Sequence, residues 1–261
     1  MILDILAEAA LQRVKCSQAC ISSEAMERRA RAIGVTGGFP FETALSRPGI
    51  NFICEIKKAS PSQGVIDTQY DYVAIAREYE QAGAAAISVL TEPDFFQGRD
   101  SHLQEISQVV ALPLLRKDFT VDAYQLYEAK VIGASAVLLI CALLDTATIR
   151  NYIKICDELG LSALVEAHDA AEIGRALDAG ARIIGVNNRD LKDFTVYLNN
   201  SVELRPLVPD GVIFVAESGI KTAADIEVLR QKRVNAVLIG EVLMRSPDKA
   251  QMLAELKGER S

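Results

Sequence analysis

An α/β fold, a (β/α)8 barrel preceded by an N-terminal helical extension, is the class this chain predicts, and three observations carry it. From Asn51 onward, short apolar β-branched runs alternate with helical stretches, eight of each. Glycine–alanine pairs recur at Gly83-Ala84, Gly133-Ala134 and Gly180-Ala181, 50 and 47 residues apart, about two βα units each. Five apolar runs also stop on a polar or ionisable residue. Ile53–Ile56 leads to Lys57, Leu112–Leu115 to Lys117, and Leu161–Val165 to Glu166. Ile183–Val186 leads to Asn187 and Arg189, and Val212–Ala216 to Glu217. A buried strand that ends on a charge is costly unless that residue works at the strand tip. Five such tips point to one site built from many strand ends.

Residues 1–33 read as helical and amphipathic, with Leu3, Leu6, Ala10 and Val14 at helical spacing. Residues 34–48, with GG, FP and RPG, read as a connector. Strands are expected near 51–57, 84–90, 112–116, 135–140, 162–166, 182–187, 212–217 and 234–239. Helices are expected near 71–81, 101–109, 122–131, 146–158, 169–178, 201–206, 222–231 and 247–257. The glycines fit left-handed helix caps that turn the chain into the next strand. The fourth such place, near Arg233, lacks glycine, so the repeat is imperfect. Continuous apolar runs suit parallel strands buried on both faces. A doubly wound open sheet shares the alternation, but no G-x-G-x-x-G follows the first strand. The expectation is one barrel domain over 1–261, with 1–48 lying outside the barrel over part of its top or side.

The 261 residues are 50% hydrophobic and 24% charged, enough for a large core. A net charge of -7 without a basic stripe argues against nucleic-acid binding. An anionic ligand then needs a local positive pocket. No run approaches about 20 apolar residues, so no membrane span is expected. The N-terminus makes a poor secretion signal. Cys54, Cys141 and Cys156 lie in apolar runs and read as reduced core thiols, which places the chain in the cytoplasm. His102 and His168, the only histidines, are too few and too far apart for a metal site.

The strand ends gather the chemistry. Glu55, Lys57 and Ser60 follow strand 1; Glu92, Phe95 and Phe96 follow strand 2; Lys117 and Asp118 follow strand 3. Glu166 follows strand 5, Asn187 and Arg189 strand 6, Glu217, Ser218 and Gly219 strand 7, and Gly240 strand 8. Lysines, an arginine and glutamates on one face can hold an anion and supply an acid and a base. The segments Glu217–Ile220 and Ile239–Glu241 follow the late strands, where barrels often bind phosphate on glycine backbone and helix N-termini. Ser60 could add a hydroxyl.

Seven segments in order, CEIKKASPSQG (54–64), LTEPDFFQG (90–98), LLRKDF (114–119), LVEAHD (164–169), GVNNRDL (185–191), VAESGI (215–220) and VLIGEVLM (237–244), together resemble the indole-3-glycerol phosphate synthase family of tryptophan biosynthesis, whose fold is the TIM barrel. A departure is Gln63, where the family often has a basic residue. The resemblance implies an anionic phosphosugar–anthranilate substrate, 1-(2-carboxyphenylamino)-1-deoxyribulose 5-phosphate, closed to an indole with loss of CO2 and water. It implies no cofactor and no metal, and a monomer is expected. By that resemblance Lys117 is the general acid, Glu166 the general base, and Glu55 and Lys57 a charged pair at the substrate. Asn187 and Arg189 hold substrate carboxylate or hydroxyls, and Glu217 orders the network. Phe96 and Phe119 wall the aromatic ring, while Ser60, Ser218, Gly219, Gly240 and Glu241 hold phosphate. A lysine among cations and apolar walls would have a lowered pKa and so be a usable acid. The division of proton transfers between Lys57 and Lys117 stays open. So do two other readings: another phosphosugar barrel enzyme, such as an isomerase or a lysine Schiff-base aldolase, and a non-catalytic phosphate-ligand binding or regulatory protein.

Overall fold

Eight parallel strands close on themselves in the computed structural model, which describes residues 2–35, 37–61, 63–189 and 195–259. They are β1 (Asn51–Ile56), β2 (Ala86–Leu90), β3 (Leu114–Lys117), β4 (Ala136–Ile140), β5 (Ser162–Ala167), β6 (Ile183–Asn187), β7 (Ile213–Glu217) and β8 (Ala236–Ile239). Each pairs in parallel with its sequence neighbours, and β8 pairs back onto β1 through Asn51 opposite Ala236 and Cys54 opposite Ile239. This is the TIM barrel the alternation predicts. Among the described residues no helix is long and apolar enough to cross a membrane.

Side chains alternate across each strand, so every second residue faces the barrel interior. On the odd-numbered strands Ile53, Leu115, Leu164 and Val215 fill one buried cluster. Two residues further along those same strands stand Glu55, Lys117, Glu166 and Glu217. The apolar filling therefore stops and a four-membered charged layer replaces it at the C-terminal end, where barrel sites are built.

The helices start where the chain supplies a cap. Asp71, Asp145, Asp169, Thr222 and Asp248 each accept a backbone N–H from three residues on. They end as the glycine repeat predicts, with Gly83, Gly133 and Gly180 at φ 74, 93 and 90°. The fourth place is filled after all, by Arg233 at φ 57°. Its neighbour Val234 N–H donates to Leu229 O at 3.1 Å, as Ala84 N–H does to Tyr79 O at 3.0 Å. The repeat is complete in the backbone and incomplete only in residue type. A left-handed non-glycine residue costs about 1 kcal/mol or more, and the Arg233–Asp210 pair, 3.4 Å and largely exposed, offsets little of it. Arg233→Gly is therefore expected to stabilise the protein by about 0.5–1 kcal/mol in urea unfolding; a lower midpoint would mean the strain is already relieved.

The extension lies along the side of the barrel, as expected, but also reaches its floor. Residues 2–33 form two helices, Ile2–Cys20 and Ser23–Ile33, the second capped by Ser22. The connector contains a third, Pro40–Leu45. Phe41 and Leu45 on it are fully buried in the cluster that holds Ala86, Ala136, Ile183 and Ala236, residues at the N-terminal ends of the strands. Part of the extension thus plugs the bottom of the barrel, opposite the charged layer. Asn51 fastens the plug by donating from Nδ2 to Leu45 O and Arg47 O, both at 3.0 Å. Arg182 reaches Glu42 with two bonds of 3.0 and 2.9 Å. Ser23–Ile33 packs on the barrel helix Tyr124–Val131, and Ile2–Cys20 carries Arg13 to the β2 and β3 loops. The extension runs along one side, from the mouth to the floor.

Candidate active site

The charged layer makes specific contacts. Lys57 Nζ donates to Glu55 Oε1 at 2.6 Å. Lys117 Nζ lies 3.6 Å from Glu166 Oε2 and 3.8 Å from Glu217 Oε2. All three glutamates are buried. Two glycines make room for them. A Cβ on Gly185 would stand 2.2 Å from Glu217 Oε1, and one on Gly240 would stand 2.5 Å from Glu55 Oε1. Gly240 therefore has a steric duty toward Glu55 that the strand-end reading did not give it.

The environment drives the carboxyls apart. Burial pushes Glu55 up, but Lys57 and Lys117 outweigh it and hold the group below its ordinary value. Burial raises Glu217 to about 8; Lys117 opposes that, and Glu166 and Glu55 add to it. Lys117 corrects the expectation of a lowered pKa. Burial does pull it down, but Glu166, Glu217 and Glu55 outweigh burial and hold it above the ordinary lysine value. Its neighbours are carboxylates, because the other lysine is spent on Glu55.

Around this layer the remaining predicted residues fall as follows. Asn187 ends β6 opposite Glu217, and its Oδ1 accepts Arg189 N–H at 3.0 Å. Arg189 is half-buried, its backbone bridged to Val196. Ser218 and Gly219 are both left-handed, φ 66 and 79°; the serine is a strained position of the kind that functional sites hold. Ser60 sits in a small hairpin, Ala59–Ser60 against Gly64–Val65. Gln63, in that turn, accepts from Arg245 Nη2 at 3.1 Å. The Glu241 carboxylate also faces Arg245, at 3.3 Å, which leaves its backbone N–H as the group for an anion. Phe96 and Phe119 stand together, ring centroids 6.3 Å apart. Ser62, Asp190 and Leu191 of the resembling segments lie outside the described residues.

Several supporting residues escaped the sequence reading. Asn188 is buried; it donates to Ser218 O at 3.0 Å and accepts from Ser201 N–H and Oγ at 2.9 and 2.8 Å, which fixes the strained turn. His168, read only against a metal site, puts Nε2 3.5 Å from Glu166 Oε1. Arg13 donates to Glu92 at 3.1 Å and to Asp118 at 2.7 Å. Glu92 in turn accepts the N–H groups of Asp94, Phe95 and Phe96, and Asp118 that of Phe119. One extension residue thus braces both loops that carry the aromatic pair. Arg13→Met is expected to cost about 2–3 kcal/mol in urea unfolding, since Glu92 loses its only ion-pair partner among the described residues and Asp118 its nearest. A loss below about 0.5 kcal/mol would reduce the brace to an exposed pair.

A family model described as indole-3-glycerol phosphate synthase matches residues 3–256. The chain is 54% identical over 258 residues to an indole-3-glycerol phosphate synthase of Ruminiclostridium cellulolyticum, covering 99% of each. It is 53% identical over 257 residues to one of Endomicrobium trichonymphae, covering 98% of this chain and 100% of that one. Among solved structures, 3-hexulose-6-phosphate synthase from Salmonella typhimurium aligns with TM-score 0.66 at 13% identity, over 80% of this chain and 97% of that one, which speaks to the fold. With a charged layer at the barrel mouth and relatives matched over nearly their whole length, the chain belongs to the indole-3-glycerol phosphate synthase family.

Proposed function

We infer that the chain closes 1-(2-carboxyphenylamino)-1-deoxyribulose 5-phosphate to indole-3-glycerol phosphate, as a carboxy-lyase of tryptophan biosynthesis. The observation that carries the catalytic reading is the charged layer, where one lysine is held protonated among three buried glutamates, two of which, Glu55 and Glu217, are shifted in opposite directions. Groups whose environments push their pKa values apart are the ones that divide acid and base roles.

The ring carbon bearing the carboxylate attacks the ribulose carbonyl, and the Lys117 ammonium gives its proton to the carbonyl oxygen. The C–COO⁻ bond then breaks, CO2 leaves, and its electron pair restores the ring. Glu166 then removes the proton from the carbon beside nitrogen, whose electron pair forms the indole double bond, while the new hydroxyl takes a proton from a lysine ammonium of the site (Lys117 reprotonated from solvent, or Lys57) and departs as water. Lys57, paired with Glu55, holds the substrate carboxylate. Burial and the neighbouring carboxylates raise Glu217 against the pull of Lys117. Opposite Asn187 and 3.8 Å from Lys117, it orders this network. Asn187 and Arg189 hold carboxylate or hydroxyls, and Phe96 and Phe119 flank the aromatic ring. The phosphate lies on Ser60 and on the backbone around Ser218, Gly219, Gly240 and Glu241. We place the protein in the cytoplasm as a monomer, with extension and barrel acting as one domain. Its buried thiols Cys54, Cys141 and Cys156, all unpaired, support a reducing compartment.

The test is the appearance of indole fluorescence on mixing protein and substrate. The chain has no tryptophan, so its own signal is low. A rising indole signal supports the reading. A folded protein that leaves the intact substrate unchanged contradicts it, and a substrate adduct trapped by borohydride would favour an aldolase.

A further inference from the structure

His168 stands inside the site without a role in the chemistry above. It follows β5, two residues after Glu166, and its orientation is set locally. Glu172, on the helix Ala170–Asp178, reaches back to accept the His168 backbone N–H at 2.8 Å, and the same oxygen lies 3.2 Å from ring Nδ1. Asp169 caps that helix by accepting Glu172 N–H at 2.8 Å. Asn200 Nδ2 donates to His168 O at 3.1 Å. With Nδ1 turned to Glu172, the other nitrogen points at Glu166 Oε1, 3.5 Å away. Nε2 is buried and has no hydrogen-bond partner among the described residues. A histidine serving packing alone would have no reason to aim an unsatisfied nitrogen at a buried carboxylate.

We propose that His168, clamped by Glu172, is a positioning residue for the base: its ring Nε2 faces Glu166 Oε1 and its positive charge aims that carboxylate into the barrel mouth. The inference rests on Glu166 being the base. The charges around the ring favour the imidazolium. Glu166 faces it from β5, Glu172 from the following helix and Glu217 from β7. Arg175, 3.7 Å from Glu172, and Lys117, behind Glu166, oppose them. Asp169 adjoins it in sequence, and the Cys141 thiol after β4 is turned to Glu172 O. Burial disfavours the charged ring, yet the glutamates outweigh it and raise the group to about 9. The arrangement, a carboxylate fixing one ring nitrogen while the other faces a reacting group, is a common way to orient histidine.

The experiment is a kcat and KM profile from about pH 5 to about pH 9 for His168→Ala, His168→Gln and Glu172→Gln, with Glu166→Gln alongside. In His168→Ala, kcat should fall about tenfold with KM within about twofold. The acid limb should move up by about one pH unit, because a carboxyl that loses a positive neighbour ionises less readily. His168→Gln, a donor without charge, should recover part of kcat but none of the limb shift, and Glu172→Gln should shift the limb less. A His168→Ala profile that superimposes on the parent overturns the proposal while Glu166→Gln remains dead. A fall in rate without any limb shift overturns it too, as that is what loss of packing alone would give. A Glu166→Gln variant with parental rate overturns both this inference and the base assignment.

Discussion

Lys117→Ala is expected to lower kcat by a factor of about 10² or more, with binding of a product analogue nearly kept. Lys117 meets two buried carboxylates, Glu166 and Glu217, at 3.6 and 3.8 Å. Those carboxylates hold the ammonium in the protonated form an acid needs, and the affinity they add is the part of the driving force it gives up. Approach of the ribulose oxygen between Lys117 and its glutamates offers the proton a new acceptor. The alanine variant removes that donor from the layer and leaves Lys57 bound to Glu55, poorly placed to substitute. Steady-state kinetics with analogue titration check this, and an unchanged kcat would remove Lys117 as the acid. The layer loses a positive charge in this variant, so Glu217 and Glu55, both of which Lys117 pulls down, should titrate higher than in the parent.

Glu166→Gln is the second large effect, about 10²- to 10⁴-fold in kcat. It should fall late in the reaction. The amide keeps the shape of the side chain but cannot take a proton, so ring closure and CO2 loss proceed while dehydration stalls and an intermediate accumulates. Quenched-flow analysis reads the intermediate directly, and turnover at the parental rate would count against the role. Because Glu166 sits 2% exposed at the tip of β5, the isosteric variant is preferred to alanine, which would also open a void.

Much of this was readable from the chain, for physical reasons that differ by residue. Strand positions were legible because runs buried on both faces must be apolar throughout, and the structure departs from the expected bounds by two residues at most, as at Ala86, Leu114 and Ala236. Strand tips were legible because charges such as Glu166 and Glu217 stand out against those runs. The floor plug was not, since the six residues Pro40–Leu45 are too short for a helical period to show. The sign of the Lys117 shift was not legible either, because it depends on which carboxylates share its layer across the barrel. That follows from register, which a single strand does not carry. Gly240 read as a phosphate contact because turns near phosphates favour glycine, while its clash with Glu55 needs the closed barrel to be seen. Arg13 lies 79 residues from Glu92 and 105 from Asp118, with no local pattern between them. His168 was different, since a histidine two residues past a charged strand tip with a glutamate four residues on is visible in the chain, while its approach to Glu166 is set by the fold.

The most direct measurement of the central claim, that one charged layer divides an acid step from a later base step, is a single-turnover experiment following CO2 release and indole formation separately in the parent, Lys117→Ala and Glu166→Gln. The parent is expected to form both together, Lys117→Ala neither at a comparable rate, and Glu166→Gln to release CO2 without forming indole. Equal retardation of both products in both variants would contradict the division of labour, as would indole formation in step with CO2 in Glu166→Gln.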